Sequence, residues 1–474
     1  MAPRSARMNA PALSSSASLP WYRQMNRYHW FVFLVASAAW CFDCLDQQLF
    51  ILARNNAIQT LLGPGADPGR VKEYGGYATA IFVAGWAAGG LIFGAVGDRI
   101  GRAKTLAFTV LIYSVCTGLS AFSRNFTEFA IFRALTGMGV GGVFGLAVAL
   151  VADSLPEIAR PKALGLLQAL SAVGNVSAGL CAMALAGYPT SESWKYMFWI
   201  GAAPAFLCIF IMFKLKEPEK WTAARAASQA VGGKAMGSYR SLFGEPRWRS
   251  PAIMGMLLCI AGVVGLWGVG FFSPELVGPV IERSLKADGL TGAELAKAKG
   301  TWISYNLIVQ NVGAFFGMLL LSKLAQNLGR KKAFSIGFVC AFAATVFFFK
   351  NFSGKNDLWM TFIMGFFQLG IFAGFAIYLP ELFPTRLRST GVSFCYNVGR
   401  FIAASGPFTL GILQKNLGET AVLKLGPAAD AAAQAAAKLD AFRNAACYLA
   451  SIYLVGLIAL LFLPETKDRP LPED

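Results

Sequence analysis

Charge is what this sequence is short of. Only 14% of its 474 residues are Asp, Glu, Lys or Arg, against roughly 25% in an ordinary water-soluble chain, and 56% are hydrophobic. That excess cannot be hidden in one water-soluble core, so lipid is the solvent for much of the chain. Histidine is nearly absent. With His29 alone, a buried histidine relay is excluded and carboxylates are left to carry any proton. No HExxH, Walker loop or nucleophile elbow occurs in context, so ATP use and intramembrane hydrolysis are unsupported. The chain does not read as an enzyme, and no metal and no cofactor is expected. Strand-length alternation with aromatic girdles is missing, which argues against a β-barrel. The nine cysteines lie in or beside apolar runs and form no disulfide framework; Cys41 and Cys44 have CxxC spacing, but within a helix-length run they read as small packing residues. The first twenty residues hold no apolar core ahead of a cleavage site and read as a polar tail, not a signal peptide.

What is present is a succession of apolar runs. A helix needs about 20 mostly apolar residues to cross the hydrocarbon layer, and twelve candidates meet that length: 30–52, 74–97, 105–122, 126–150, 164–186, 194–215, 250–272, 301–321, 333–350, 357–379, 391–413 and 446–463. The expected fold is all-α, with twelve transmembrane helices. Most of the 42 basic residues fall in the segments that are cytoplasmic if the N-terminus is inside, which orients both termini to the cytoplasm. The net charge of +17 is then a topology signal, and a nucleic-acid partner, which needs a basic face on a soluble module, is not expected. The outer segments 273–300 and 414–445 are expected to form short helices outside the membrane.

The chain repeats itself. GDRIGRAK (97–104) follows the second run and AQNLGRKK (325–332) the eighth. LPEIARPKALG (155–165) follows the fourth and LPELFPTRLRSTG (379–391) the tenth, while KEPEKW (216–221) and LPETK (463–467) close each half. Gly101 and Gly329, like Glu157 and Glu381, keep nearly the same offset. Three matched loops in matching order on one face mean a duplicated six-helix unit, with parallel halves related by an axis along the membrane normal. The expected organisation is a tail (1–29), a six-helix bundle (30–215), a polar basic linker (216–249), a second bundle (250–463) and a short tail (464–474).

In GDRIGRAK, Gly97 and Gly101 permit a tight turn, and Arg99, Arg102 and Lys104 sit at the interface. Asp98 is an acid among bases, able to cap a neighbouring helix or to pair with a loop cation. Glu157 with Arg160, and Glu381 with Arg386 or Arg388, read as ion-pair networks on the same face. Exposed pairs contribute little stability, so their role would lie in gating; the alternative is ordinary interfacial charge. With these loops in place the chain resembles the major facilitator superfamily along almost its whole length. The LPE loops and the LPETK end resemble the branch that includes sugar and organic-acid symporters. The resemblance implies that Asp98 helps latch the halves together on the cytoplasmic side in the outward-open state. In the second copy Gln326 and Asn327 replace Asp98 and Arg99, so a charged latch there is expected to be weaker.

Four charges lie within apolar runs: Asp43, Asp46, Arg133 and Arg400. Each costs at least about 2.5–3.5 kcal/mol at the bilayer centre, so retained charges usually face an inner cavity. Asp43 and Asp46, in FDCLDQ (42–47), sit on neighbouring parts of one helix face with Gln47. Two close carboxylates in low dielectric resist ionising together, which makes the pair a proton acceptor. The alternative is a pair that only holds helices together. Arg133 opens RALTGMGVGG (133–142), whose glycines give a small-residue packing face. Asp46 and Arg133 each lie roughly 10 Å from the outer ends of their helices by the helical rise, so an ion pair between them is allowed. Protonating the Asp would free Arg133; a permanent structural pair is the alternative. Arg400, in NVGRFIAASGP (397–407), lies near the midplane with Asn397 one turn away and Gly406–Pro407 ahead of it. A fixed guanidinium there can grip a carboxylate by two parallel hydrogen bonds, or else neutralise Asp43.

These four residues resemble those of the aromatic-acid:proton symporters of the same superfamily. This chain departs in carrying Cys44 and Leu45 between its acids, so what the resemblance transfers is an anion-capable site. The residues themselves read as proton coupling by Asp43, Asp46 and Arg133, and as substrate binding by Arg400, Asn397, Gln310 and Arg133. Asn175, Tyr305, Asn306, Asn311 and Gln368 are further polar candidates, each equally readable as interhelical glue. Helix five has Gly165, Gly174 and Gly179 without a following proline, which disfavours a drug-export antiporter. The reading is a proton-coupled symporter of a small organic anion in the cell inner membrane, functional as a monomer. A sugar or polyol symporter, and a non-transporting solute sensor on the same fold, are the competitors.

Overall fold

The computed structural model describes residues 20–473 apart from 64, 186–187, 271–272, 404–405 and 426–429, so most of the N-terminal tail lies outside the described residues. All regular structure among the described residues is helical. The first five apolar runs form α1 (Arg27–Leu62), α2 (Pro68–Ile100), α3 (Arg102–Ser120), α4 (Phe126–Ser154) and α5 (Arg160–Ala184). The sixth run is divided into α6 (Thr190–Ala202) and α7 (Ala205–Lys214) at Pro204, whose ring and missing N–H interrupt the ladder. After the linker helices α8 (Glu219–Gln229) and α9 (Tyr239–Gly244), the seventh run is α10 (Pro246–Val264), continued by a π-helical turn, Gly265–Val269. Then come α11 (Ser273–Ala287), α12 (Gly292–Leu328), α13 (Arg330–Asn351), α14 (Trp359–Tyr378), α15 (Arg388–Ala403), α16 (Gly406–Leu425), α17 (Ala431–Ala450) and α18 (Tyr453–Phe462). Among the described residues, each of the twelve apolar runs falls mainly on helix.

Large apolar side chains cover the outside. Phe122 is 66% exposed, Phe206 71% and Leu461 73%, an arrangement that water penalises and lipid does not. Among the described residues, ten helical stretches are long and apolar enough to cross a membrane. Three helices overrun their apolar windows: α1 has 36 residues, α2 has 33 and α12 has 37. At 1.5 Å per residue these reach roughly 50 Å, beyond the hydrocarbon of about 30 Å. The segments expected as separate short outer helices are in part their continuation. Of these, 292–300 belongs to α12, whereas 414–425 belongs to α16 and 431–445 to α17, and α11 stands apart.

Helices α1–α7 pack on one another, and α10–α18 do the same. Between the two groups, α2 lies against α15 and α5 against α12. Small residues bring these pairs together. A Cβ on Gly90 would fall 2.1 Å from Asn397 Nδ2, one on Gly94 2.5 Å from Ser393 Cβ, and one on Gly165 2.1 Å from Ser322 Oγ. No side chain fits there.

The repeated loops are one device used twice. Gly101 turns the chain from α2 to α3 at φ +134°, and Gly329 turns it from α12 to α13 at φ +97°, a region that favours glycine. A helix N-terminus then faces out with unpaired N–H groups. Glu217 accepts from the N–H groups of Arg102, Ala103 and Lys104 at 2.7–3.2 Å. Glu465 accepts from those of Arg330 and Lys331 at 2.9 and 3.0 Å. Each half thus ends on a glutamate that caps its own third helix.

The linker, expected as a polar connector, is docked. Trp221 Nε1 donates to the Asp98 carbonyl (2.8 Å), Tyr239 Oη to the Leu91 carbonyl (2.7 Å) and Gly237 N to the Arg386 carbonyl (2.9 Å). Arg386 also pairs with Glu245 at 2.8 Å. Contacts to both helix groups hold it on one face of the molecule, called here the linker face.

Candidate functional site

Between the two helix groups lies a cleft of about 690 Å³, counted to its open mouth. Helix α1 contributes Trp40, Gln47 and Gln48; α5 contributes Gln168, Ser171 and Asn175. From the other side come Trp267 of the π turn, Gln310 and Asn311 of α12, and Tyr396 and Arg400 of α15. One amide clasp spans the groups, with Asn175 Nδ2 donating to Asn311 Oδ1 at 2.8 Å.

Arg400 is the only charged group on the wall among the described residues. Its guanidinium is stacked: the Trp86 ring centroid is 3.8 Å from Cζ, that of Tyr396 4.2 Å and that of Trp40 5.8 Å. Aromatic faces steady a cation without using its N–H groups. Nε and Nη1 have no hydrogen-bond partner although the residue is only 6% exposed. A guanidinium is donor-only, and leaving buried donors unmade is costly. The faces are occupied while Nε and Nη1, on different sides of the group, keep open N–H donors, each able to meet an anionic oxygen. Asp43 lies within electrostatic reach of Arg400, yet the two form no ion pair, so Arg400 does not serve as the direct neutraliser of Asp43.

Asp43 and Asp46 are fully buried, and they part company. Asp43 Oδ2 accepts from Gln47 Nε2 at 3.0 Å. Asp46 turns into the first helix group, where a Cβ on Gly201 would lie 2.7 Å from its Oδ1. The expected close carboxylate pair is therefore split between two surroundings. Arg133 is also placed within the first group and does not line the cleft, which corrects its assignment as a group that touches solute in this conformation. The rings of Phe198, Phe50 and Phe129 enclose it at 4.7, 5.4 and 5.8 Å. It donates to Ser120 Oγ (2.7 Å) and Thr136 Oγ1 (3.1 Å). The allowed Asp46–Arg133 ion pair is open: neither Asp46 oxygen has a hydrogen-bond partner, nor does Arg133 Nη1.

Asn397 is corrected as well. It shares a helix face with Arg400, but Gly90 and Gly141 let α2 and α4 approach so closely that the amide is buried in the seam, donating to Ser393 O (2.8 Å). Gln310, Asn175 and Asn311 reach the cleft, whereas Gln368 bonds Thr345 (2.7 Å), Asn306 bonds Ser273 (3.3 Å) and Tyr305 is exposed. The aromatic cradle of Trp40, Trp86 and Tyr396 was missed. With 11 Trp and 13 Tyr in the chain, nothing in the spacing sets these three apart.

The linker face is shut. Asp98 accepts from Ser389 N (3.2 Å), Thr390 N (2.8 Å) and Thr390 Oγ1 (2.8 Å). It thereby caps α15 from the opposite helix group. Arg102 reaches Asp98 at 3.2 Å and donates to the Thr385 carbonyl at 2.7 Å. Asp153 joins Arg102 to Arg388 across the seam. Asp153 escaped notice because it ends a long apolar run one turn before Glu157. Glu157 itself is exposed and 3.8 Å from Arg160. The pairings expected for Glu381 are corrected: its partner is Arg330, in two hydrogen bonds of 2.9 and 2.6 Å, while Arg386 goes to Glu245 and Arg388 to Asp153. As expected, the second loop copy forms no charged latch between the groups among the described residues, although it carries a charged pair. Its strong pair lies within one helix group instead of between two. Arg99 donates to the Met236 carbonyl of the linker at 3.3 Å, and Gly97 faces Leu146, whose Cδ2 would be 2.1 Å from an added Cβ.

The profile of the Major Facilitator Superfamily matches residues 49–296 and 292–474. A Cupriavidus pinatubonensis protein described as a "Probable 4-methylmuconolactone transporter" is 27% identical, with 84% of this chain and 87% of that protein covered. The cis,cis-muconate transport protein of Acinetobacter baylyi is 28% identical, covering 70% of this chain and 76% of its own. Among solved structures, the proton:xylose symporter XylE superposes with a TM-score of 0.69 over 94% of this chain and 98% of its own, at 18% identity, a likeness of fold.

Proposed function

Because the chain belongs to the Major Facilitator Superfamily, a family of membrane transporters and not of enzymes, we propose that it carries a small organic carboxylate across the membrane together with protons. The observation that carries this reading is Arg400: a buried cation between aromatic rings, with two unpartnered N–H groups at the wall of the central cleft. An anion supplies what that edge lacks. The resemblance to transporters of muconate and a muconolactone supports a carboxylate with a flat, unsaturated frame, for which Trp40 and Phe372 put aromatic rings on the wall.

In this reading Asp43 and Asp46 take up the proton, and Arg133 responds to the charge on Asp46. Gln310 orients the solute from the second bundle. The bundles 30–215 and 250–463 rock against each other, the linker face is cytoplasmic along with both termini, and a monomer in the cell inner membrane suffices. In this reading the shut linker face corresponds to a state closed toward the cytoplasm. Asp98, Arg102, Arg388 and Asp153 separate when that face opens.

A sugar or polyol substrate is the second reading, favoured by the amides Gln168, Gln310, Asn175 and Asn311 on the wall. A neutral solute, however, leaves the Arg400 edge unsatisfied. The discriminating experiment is a competition screen against binding of labelled cis,cis-muconate to the purified protein in lipid. Displacement by mono- and dicarboxylates but not by pentoses, hexoses or polyols is expected. Binding displaced by sugars alone would overturn the carboxylate reading.

A further inference from the structure

Asp43 is 0% exposed and does not line the cleft, whereas Gln47, one helical turn on, is on the wall. Between them runs one hydrogen bond, Gln47 Nε2 to Asp43 Oδ2, at 3.0 Å. The other carboxylate oxygen, Oδ1, has no partner, and among the described residues no hydrogen bond is made to the Gln47 side-chain oxygen. A primary amide is a donor at one end and an acceptor at the other, while a carboxylate accepts only and a carboxylic acid also donates. The amide therefore has two ways to satisfy its neighbour, and the charge on Asp43 decides which.

We propose that Gln47 is an amide switch that turns the protonation state of Asp43 into the hydrogen-bonding character of the cleft wall. The proposal rests on the reading that Asp43 takes up the coupled proton. With Asp43 ionised, the Gln47 NH2 is held inward by the carboxylate and its oxygen faces the cleft, an acceptor that repels an anion. A proton from water then bonds to Asp43 Oδ2. That oxygen becomes a donor, the amide turns over about its last torsion, and Oε1 accepts the new O–H. The NH2 group now faces the cleft, where it donates to the solute carboxylate gripped by Arg400. When Asp43 returns its proton to water on the other side, the amide turns back. Hydronium loses one O–H bond as the Asp43 O–H forms, water gains one as the Asp43 O–H later breaks, and no other covalent bond changes.

The groups around the switch are few. Arg400 acts on Asp43 from α15, with Tyr396 of the same helix against the guanidinium. On α1 itself Asp46 and Cys44 are the titratable neighbours, and Arg133 of α4 acts on Asp46. Ser171 of α5 approaches Cys44. A simple helix-stabilising Gln–Asp contact would need none of the exposure to the cleft that Gln47 has. The sequence hints at the pair through its four-residue spacing, but not at which of the two meets the solute.

Infrared difference spectroscopy of the purified protein in lipid, cycled between acid and alkaline pH without solute, tests the switch. In the wild type, the carboxyl C=O band that appears on acidification is expected to be accompanied by a shift of an isotope-edited glutamine C=O band to lower frequency. Asp43→Asn should remove the Asp43 component of the carboxyl band, leaving that of Asp46, and abolish the glutamine shift; a carboxyl band unchanged there means the proton sits elsewhere and the underlying coupling reading fails. In Gln47→Met the carboxyl band should remain but move to higher frequency, as for an acid without its partner, and the glutamine shift should vanish. Gln47→Leu serves in its place should that protein not fold. An Asp43 carboxyl band unmoved by either replacement, with the glutamine shift still present, overturns the switch and leaves proton uptake by Asp43 standing.

Discussion

At the scale of single residues, the account turns on charges kept where hydrocarbon should be. Arg400→Gln removes a cation that has aromatic neighbours but no counter-ion, so the unliganded protein should melt at the same temperature or higher. The cost should appear in function. Losing two charge-assisted hydrogen bonds of about 1.5–3 kcal/mol each lowers kcat/KM by roughly 100-fold or more, and Arg400→Lys restores little, because an ammonium does not match a carboxylate fork. Thermal melts and uptake assays on the same preparations check both halves of this prediction. These charges were legible in the sequence because a lone Arg or Asp stands out within an apolar run. Their partners were not: Arg330 meets Glu381 across 51 positions, and Asp153 meets Arg388 across 235. Such distances are set by how helices pack, which no local spacing encodes.

At the scale of elements, closure depends on surfaces without side chains. Gly90 and Gly94 on α2 admit Asn397 and Ser393 of α15 at contact distance. Gly90→Val should therefore prevent the linker face from shutting while each bundle stays folded. Spin labels on the linker-face ends of α2 and α15 would report a longer distance than in the wild type; an unchanged distance would count against the glycine seam. The repeated loops were legible as repeats, but the reason for them was not, since Glu217 and Glu465 cap helices that begin more than a hundred residues earlier. Linker helices α8 and α9 were missed for a related reason. They are short, polar and held by tertiary contacts, so hydropathy leaves them silent.

The linker also supplies a pH argument. Burial alone would push the Glu245 carboxyl up, but the hydrogen bond and charge of Arg386, aided by Lys234, hold it below its usual value. A depressed folded-state value contributes stability above the ordinary glutamate range of about 4.3, lost only as pH falls through the lower folded value. Docking of the linker should therefore be unchanged between about pH 5 and 8, as limited proteolysis of residues 230–237 would show. Glu245→Gln should expose the same segment at every pH. A pH response of opening within that interval therefore does not come from the Glu245–Arg386 pair.

At the scale of the whole molecule, the twelve apolar runs and the duplicated loops made the two-bundle architecture readable, while the state of the machine was not. A sequence does not say which side is shut. Here the linker face is closed by Asp98 on the α15 N-terminus and by Asp153 between Arg102 and Arg388. Asp98→Asn weakens the cap and its pairing with Arg102 together, so the population should move toward an open linker face, seen as faster modification of cysteines introduced along that seam. The central claim is carboxylate movement tied to proton movement through Arg400. It is tested most directly in proteoliposomes loaded with a pH-sensitive dye, with cis,cis-muconate added outside under an inward proton gradient. The account predicts solute accumulation with internal acidification in the wild type and neither in Arg400→Gln. Equal accumulation in the two proteins, or accumulation with no change in internal pH, would contradict it.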